Sequence, residues 1–203
     1  MNDRYHHGDL PTALRAAAAE LVAERGPTGF SLREVARRAG VSHGAPAHHF
    51  GTSKGLLTSV AAEGFETLSA AFDEAIASAD NPIDRLTAMG KAYVRIAIEN
   101  PGHFGVMCSH ELIHAEDDEY TSHASRAYLQ LIELITEIRD TLNPDLDIDA
   151  AATMTWSAVH GLAALSPNLD DVADKTDTTV EPLDQMIEKF TEMFINGFAA
   201  RPR

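Results

Sequence analysis

The sequence predicts an all-α fold of about nine helices, with a small N-terminal three-helix unit followed by a larger helical domain. Three observations carry this expectation. Apolar residues recur at helical spacing from one end of the chain to the other. Capping residues and Pro or Gly breakers punctuate that pattern. No segment shows the strict alternation of a half-buried strand, and no internal repeat is visible.

Leu10, Leu14, Ala17, Ala18, Leu21 and Val22 line one face of the first helix. Asp9 caps its start, Pro11 fits in its first turn, and Arg25-Gly26-Pro27 stops it. Ser31 and Glu34 form a capping box, in which hydroxyl and carboxylate satisfy free N–H groups at a helix start. Leu32, Val35, Ala36 and Ala39 form the inner face of that second helix, and Gly40 supplies the left-handed residue that ends it. Ser42 then caps a third, short helix running to about His49. A helix, a glycine-bearing turn and a second capped helix make a helix-turn-helix.

Thr52 or Ser53 caps a long fourth helix over about 54–79, carrying Leu56, Leu57, Val60, Phe65, Leu68 and Phe72. Asp80-Asn81-Pro82 breaks and restarts the chain into a helix over about 82–98, with Ile83, Leu86, Met89, Tyr93 and Ile96. Asn100-Pro101-Gly102 breaks it again before a helix over about 103–114. After an acidic connection at 116–119 come helices over about 120–142 and 148–165, separated by Asn143-Pro144. Residues 166–180 are polar and acidic and read as a mobile loop. A last helix spans about 181–199.

The 203 residues are 44% apolar, enough for a sizeable core, and no stretch approaches the ~20 apolar residues of a membrane span. The start, Met-Asn-Asp-Arg-Tyr-His-His, lacks the apolar run of a signal peptide. The one cysteine, Cys108, has no internal disulfide partner, and cytoplasmic localisation is expected. Net charge is −15, but it is unevenly spread. Residues 1–55 carry seven Lys/Arg (Arg4, Arg15, Arg25, Arg33, Arg37, Arg38, Lys54) against five acids, whereas residues 56–203 carry nine against 26. Phosphates would be repelled by the body, so only the N-terminal quarter suits nucleic acid. The expected division is therefore 1–53, a DNA-binding domain, and 54–203, a helical effector-binding and dimerisation domain.

In the stretch FSLREVARRAGVSHGAPAHHFGTSKGLL, from Phe30 to Leu57, Leu32, Val35, Ala36 and Val41 lock the second and third helices at a steep angle. The third helix then presents His43, Gly44, Ala45, Ala47, His48 and His49 to a major groove, whose width admits one helix. Helix starts at Ser31 and Ser42 offer N–H groups to phosphates. Arg33, Arg37, Arg38 and Lys54 are the expected phosphate contacts, which position a protein without reading sequence.

This stretch resembles the DNA-binding domain of the tetracycline-repressor (TetR) family. The resemblance rests on Ser31, Arg33, Val35, Ala36, Ala39, Gly40, Val41, Ser42, His49, Phe50 and Lys54, and extends over about residues 5–60. It implies a homodimeric transcription regulator, commonly a repressor, released from a palindromic operator by a small-molecule effector. Most members carry an aromatic residue, usually Tyr, where this chain has Ala47, preceded by Pro46. That residue's contact with the DNA backbone is vacant here or passes to His48. Tyr5-His6-His7-Gly8 reads either as an arm reaching phosphates or as a disordered terminus.

Trp156-Ser-Ala-Val-His160-Gly161, together with Ala45-Pro46 before His49-Phe50, resembles the subgroup with a Trp-x-x-x-His-Gly element in its C-terminal domain. Trp156 and His160 share a helix face. They read either as a packed Trp with a hydrogen-bonded core His or as a pocket wall. A hydrophobic or aromatic effector would be lined by Phe72, Met89, Tyr93, Phe104, Met107, His110, Trp156 and His160. Over 103–114, His103, Met107, His110 and His114 fall on one helix face. His110 and His114 have the spacing of a zinc or nickel chelate but no complete third-ligand motif, so a metal-responsive regulator is the alternative reading. No cofactor is expected. The last helix is apolar on more than one face, and Met186, Phe190, Met193, Phe194 and Phe198 are assigned to a homodimer interface. The family resemblance places its last two long helices in a four-helix interface.

Rival classes fit less well. No G-x-S-x-G, P-loop, dinucleotide glycine pattern or H-E-x-x-H is present, which argues against a helical enzyme. A protein-interaction adaptor would leave the basic N-terminus and the helix-turn-helix unexplained.

Overall fold

The computed structural model describes residues 10–198. The arm at residues 5–8 and the Asp9 cap lie outside them. The described residues form α1 (Leu10–Arg25), α2 (Leu32–Arg38), α3 (Ala45–Phe50), α4 (Ser53–Ala77), α5 (Pro82–Glu99), α6 (Pro101–Met107), α7 (Asp118–Leu142), α8 (Ile148–Leu165), α9 (Leu169–Thr176) and α10 (Leu183–Phe198). All nine expected helices are among them, and the described residues contain no strand. None of these helices is long and apolar enough to cross a membrane.

The caps sit where the side-chain chemistry puts them. Ser31 and Glu34 form the reciprocal capping box at α2. The Thr52 hydroxyl accepts the Gly55 N–H at 3.1 Å and starts α4. Asn81 Oδ1 accepts from Ile83 and Asp84 at the start of α5, and Asp147 Oδ1 accepts from Ala150 at the start of α8. Each such cap stabilises its helix by about 1 kcal/mol.

Three expectations are corrected. The third helix begins at Ala45 rather than Ser42, and the Ser42 side chain does not cap it. Pro46 has no N–H to give to the Ser42 carbonyl. The chain turns tightly instead, with Ala45 N–H on Ser42 O, and the first long helical bond runs from His48 to Gly44. The helix expected over 103–114 ends at Met107. Beyond it the Ser109 hydroxyl bonds back to Gly105 O, Ile113 is fully buried, and the His114 N–H is taken by the Thr58 hydroxyl at 2.8 Å. Those bonds replace the helical ladder. The third correction is at 166–180, expected to be a loop. It contains a 3₁₀ turn at Ser166–Asn168 and then α9. There Leu169, Val172, Ala173 and Thr176 keep helical spacing, Asp170 and Asp171 favour the positive N-terminal end, and Lys175 pairs with Asp171.

The chain folds into two compact units. The first comprises residues 1–66 and 100–124, so α6 and the start of α7 belong with the N-terminal helices rather than with the remainder of 54–203. The close approach of α6 to α1 explains this. A Cβ on Gly102 would stand 1.9 Å from the Ala19 carbonyl oxygen, so only glycine fits there. Leu14, Leu21, Val35, Leu56, Val60, Val106 and Ile113 form the core of this unit, each completely buried. Burying each of these side chains contributes about 1.5–3 kcal/mol.

The second unit comprises residues 67–99 and 125–203. Its α5 packs against both α8 and α10, and a Cβ on Gly90 would meet Ile187 at 3.0 Å and Val159 at 3.5 Å. Gln130 on α7 donates to Ser69 O and Asp73 Oδ1 on α4, and Arg126 pairs with Asp73 at 2.5 Å. The boundaries fall inside α4, after Glu66, and inside α7, after Ala124. Each of these helices is therefore continuous through both units.

Candidate nucleic-acid interface and effector site

In the first unit, Gly40 takes φ of 69°, the left-handed turn that only glycine adopts without cost, and the Val41 N–H returns to Ala36 O. Pro46 is buried and fixes α3 by its ring, while His43, Gly44, Ala47, His48 and His49 are exposed. Ala45 is half-buried. α3 therefore turns outward the residues expected to read a groove, and the position of the family aromatic, Ala47, is an exposed methyl group.

The charges divide into two sets. Arg38 gives two nitrogens to Glu24 at 2.6 and 2.8 Å and lies 3.4 Å from Glu20. This contact holds the Glu24 carboxyl below its ordinary pKa and keeps Arg38 more firmly protonated. Arg25 pairs with Glu34 at 2.8 Å, and with Ser31 holds that carboxyl down as well. Arg33, Arg37 and Lys54 make no ion pair among the described residues. Arg33 and Arg37 are exposed and Lys54 is half-buried. Of the four expected phosphate contacts, Arg38 thus ties α2 to α1, and the other three are the ones left without an ion pair among the described residues. The glutamates that engage Arg38 lie on α1, 14 and 18 residues back in sequence, and no local motif announced that pairing.

A second polar cluster ties α1, α4 and α6 of this unit. Glu63 Oε2 lies 3.1 Å from Arg15 Nε and 3.4 Å from His103 Nε2. His103 first, then Arg15, pull the Glu63 carboxyl below its usual pKa against its partial burial. The sequence placed His103 on a histidine stripe and did not foresee this role.

The effector residues fall into two groups. Phe72, Met89, Tyr93, Trp156 and His160 are in the second unit, whereas Phe104, Met107 and His110 belong to the first. The Tyr93 hydroxyl lies 2.8 Å from His160 Nδ1 and accepts the Trp156 indole N–H at 3.4 Å. Phe72 stacks on Tyr93 with centroids 6.4 Å apart, and Tyr128 lies 6.0 Å from Trp156. Tyr93 and Met89 are buried, but Trp156 is 39% exposed. Tyr128 was not among the residues expected to line the effector site. In the first unit, Met107 is buried beside Gly64, and His110 is exposed on the turn after α6. With α6 ended at Met107, His110 and His114 do not share a helix face, and His114 faces Glu116 at 3.7 Å. No three His, Cys, Asp or Glu side chains converge as a metal cage among the described residues.

On α10, Ile187 and Phe194 are buried in the second unit, while Met193 is 72% exposed and Met186 and Phe190 are half-buried. The Phe198 side chain lies outside the described residues. Met186, Phe190 and Met193 share one face at i, i+4 and i+7, and Phe194 points to the core instead. α8 carries a similar outer stripe, from Met154 (58% exposed) through Ala158 and Gly161 to Leu165 (59%).

Comparison with known proteins gives concordant matches. The model of bacterial regulatory proteins of the tetR family matches residues 14–60, and that of the tetracyclin repressor-like C-terminal domain matches residues 86–191. A 52-residue segment is 42% identical to an HTH-type transcriptional repressor of Mycobacterium tuberculosis, over 26% of this chain and 28% of that protein. The chain thus spans little more than a quarter of the curated relatives it matches. A solved structure from Rhodococcus sp. RHA1 is 28% identical, covers 98% of this chain and 100% of its own, and superposes with a TM-score of 0.80. A tetR-family regulatory protein from Rhodococcus RHA1 shares the fold at 21% identity, over 96% and 100% of the two chains, with a TM-score of 0.73. The FadR regulator of Bacillus subtilis, solved with stearoyl-CoA, shares it at 16% identity, over 92% and 98%, with a TM-score of 0.70.

Proposed function

The chain belongs to the TetR family of bacterial regulatory proteins, and from that premise we propose that it is a DNA-binding transcription regulator, a repressor released from its operator by a small apolar effector. One observation carries the reading. A capped α2, the Gly40 turn and a proline-anchored α3 leave His43, Gly44, Ala47, His48 and His49 exposed, in a unit whose Arg33, Arg37 and Lys54 make no ion pair among the described residues. On this proposal α3 enters the major groove and the three cations hold phosphates.

The protein acts as a homodimer in this reading. Two recognition helices must reach successive major grooves about 34 Å apart, so a two-fold dimer reads a palindrome. The exposed apolar stripes on α8 and α10 supply a surface for that association.

The effector is held at the Phe72–Tyr93–Trp156–His160 cluster. Phe72 lies on α4, which continues into the DNA-reading unit, so a ligand that displaces the Phe72–Tyr93 stack acts on a helix common to both. Release is a shift between two dimer arrangements, of which only one matches the half-site spacing. Selection from random duplex DNA tests the proposal. The expected product is an inverted repeat with half-sites one helical turn apart. Enrichment of single, unpaired sites would overturn the dimeric reading, and no enrichment would overturn DNA recognition.

A further inference from the structure

Three imidazoles stand exposed on the DNA-reading element proposed above, and this inference rests on that reading. His43 lies in the turn before α3, and His48 and His49 lie in its last turn. The His48 and His49 rings meet edge to face with centroids 5.4 Å apart, and the Phe50 ring lies 6.3 Å from that of His49. Among the described residues the histidines with an ion pair are His103 and His114, not these three. The charged groups around α3 offer them no free carboxylate. α1 and α2 pack on α3, and α4 follows it. α1 carries Arg15, Glu20, Glu24 and Arg25, and α2 carries Arg33, Glu34, Arg37 and Arg38. α4 opens with Lys54 and reaches its first acid at Glu63. Glu20 and Glu24 are engaged by Arg38, Glu34 by Arg25, and Glu63 by Arg15 and His103. Residues 1–55 nevertheless carry a surplus of only two positive charges while the imidazoles are neutral. Three added protons more than double that surplus, and histidine is the side chain whose charge ordinarily changes between pH 5 and 8.

We propose that DNA binding by this protein is coupled to proton uptake at His43, His48 and His49, so that it holds its operator more tightly as pH falls from 8 to 6. A phosphate favours the charged imidazole over the neutral one. A charged imidazole set against a phosphate also releases a condensed counterion, as a lysine does. The sign follows from linkage: a complex that holds more protons than its separate parts is strengthened when protons are added. Adjacent positive charges on His48 and His49 repel one another in the free protein, and the duplex supplies the negative charge that offsets both.

Anisotropy titration of the full chain with a duplex from the DNA upstream of its own gene, at pH 6, 7 and 8 and equal ionic strength, tests this. The Kd is expected to tighten on the order of tenfold from pH 8 to pH 6. The slope of log affinity against log salt should be steeper at pH 6 by about one or more, since each added charge on a phosphate contributes about 0.9. Calorimetric titration near pH 7 in two buffers of different ionisation enthalpy counts the protons taken up by the unmutated protein. Single variants His43→Gln, His48→Gln and His49→Gln, each at an exposed position, should lower that count, and the triple variant should remove most of it. His103, His110, His114, His123 and His160 stay in every variant, so a pH effect that arises from them survives the triple substitution. No proton uptake and an unchanged Kd between pH 6 and pH 8, or a pH dependence that the triple variant keeps, would overturn the linkage and leave DNA reading in place. No binding of the duplex at pH 6 and low salt would overturn both.

Discussion

Arg38 clasps Glu24 across the junction of α2 and α1, through two guanidinium nitrogens at 2.6 and 2.8 Å. A two-point pair of this geometry is more restrictive than a single surface contact. It holds α2 against α1, so the proposed phosphate contacts fall to Arg33, Arg37 and Lys54, which make no ion pair among the described residues. Arg37→Ala is therefore expected to lower the slope of log affinity against log salt by about one, uniformly across DNA sequences. Arg38→Ala should lower the melting temperature of the protein and weaken operator binding with the salt slope kept. Thermal denaturation and anisotropy titrations at three salt concentrations distinguish the two. A lower slope in Arg38→Ala would return that residue to the phosphate contacts.

Gly102 sits so close to the Ala19 carbonyl that a methyl group there cannot be accommodated without moving α6 off α1. Gly102→Ala should destabilise the protein by about 1–3 kcal/mol in urea unfolding, the range of an overpacked site. Gly105→Ala is the control. Its Cβ would meet Val22 at an ordinary 3.4 Å, and the variant should unfold near the wild-type midpoint. Equal midpoints for wild type and Gly102→Ala would contradict the close approach.

Glu63 has its carboxyl held below the ordinary value by His103 and Arg15. A depressed carboxylate contributes stability above its unfolded pKa, near 4.3, and loses it as pH falls through the lower folded value. Glu63→Gln should accordingly be less stable than wild type at pH 6, by about 1 kcal/mol. The gap should close as pH falls below about 4. Urea midpoints at pH 6 and pH 3.5 check this, and a gap that is the same at both would remove the ionic role of Glu63.

Met193 stands 72% exposed on the α10 stripe, and Met154 is 58% exposed on that of α8. If these stripes meet their symmetry mates, Met193→Glu should weaken self-association by at least about tenfold, because a buried central side chain is replaced by a charge. Sedimentation velocity over a dilution series measures the change. An undiminished dimer in both Met193→Glu and Met154→Glu would place the interface elsewhere.

Much of this fold is legible in the sequence because its signals are local. Ser31 with Glu34, and Thr52, announce helix starts within three residues of their partners, and Gly40 announces the turn, whereas the Asn81 and Asp147 caps were equally local but went unread. The errors arise where a distant or competing contact decides. The end of α6 at Met107 depends on the Thr58 hydroxyl taking the His114 N–H, a bond 56 residues apart in sequence. α9 was hidden by its acidic composition, although Leu169, Val172, Ala173 and Thr176 keep the helical period. For the candidate sites, the exposed edge of α3 followed from periodicity, and the Trp156–His160 pairing from i, i+4 spacing. That Arg38 turns to Glu24, and that Tyr93 joins Trp156 to His160, are tertiary facts no local pattern encodes.

The most direct test of the DNA-reading claim is a fluorescence-anisotropy titration of the purified protein with the DNA upstream of its own gene, against a scrambled duplex, at two salt concentrations. The account predicts tight binding that prefers the native sequence and weakens as salt rises, with the preference lost in the double variant His48→Ala/His49→Ala. No binding at low salt, or a preference for the native sequence that survives this double variant unchanged, would contradict the assignment of α3 as the reading element.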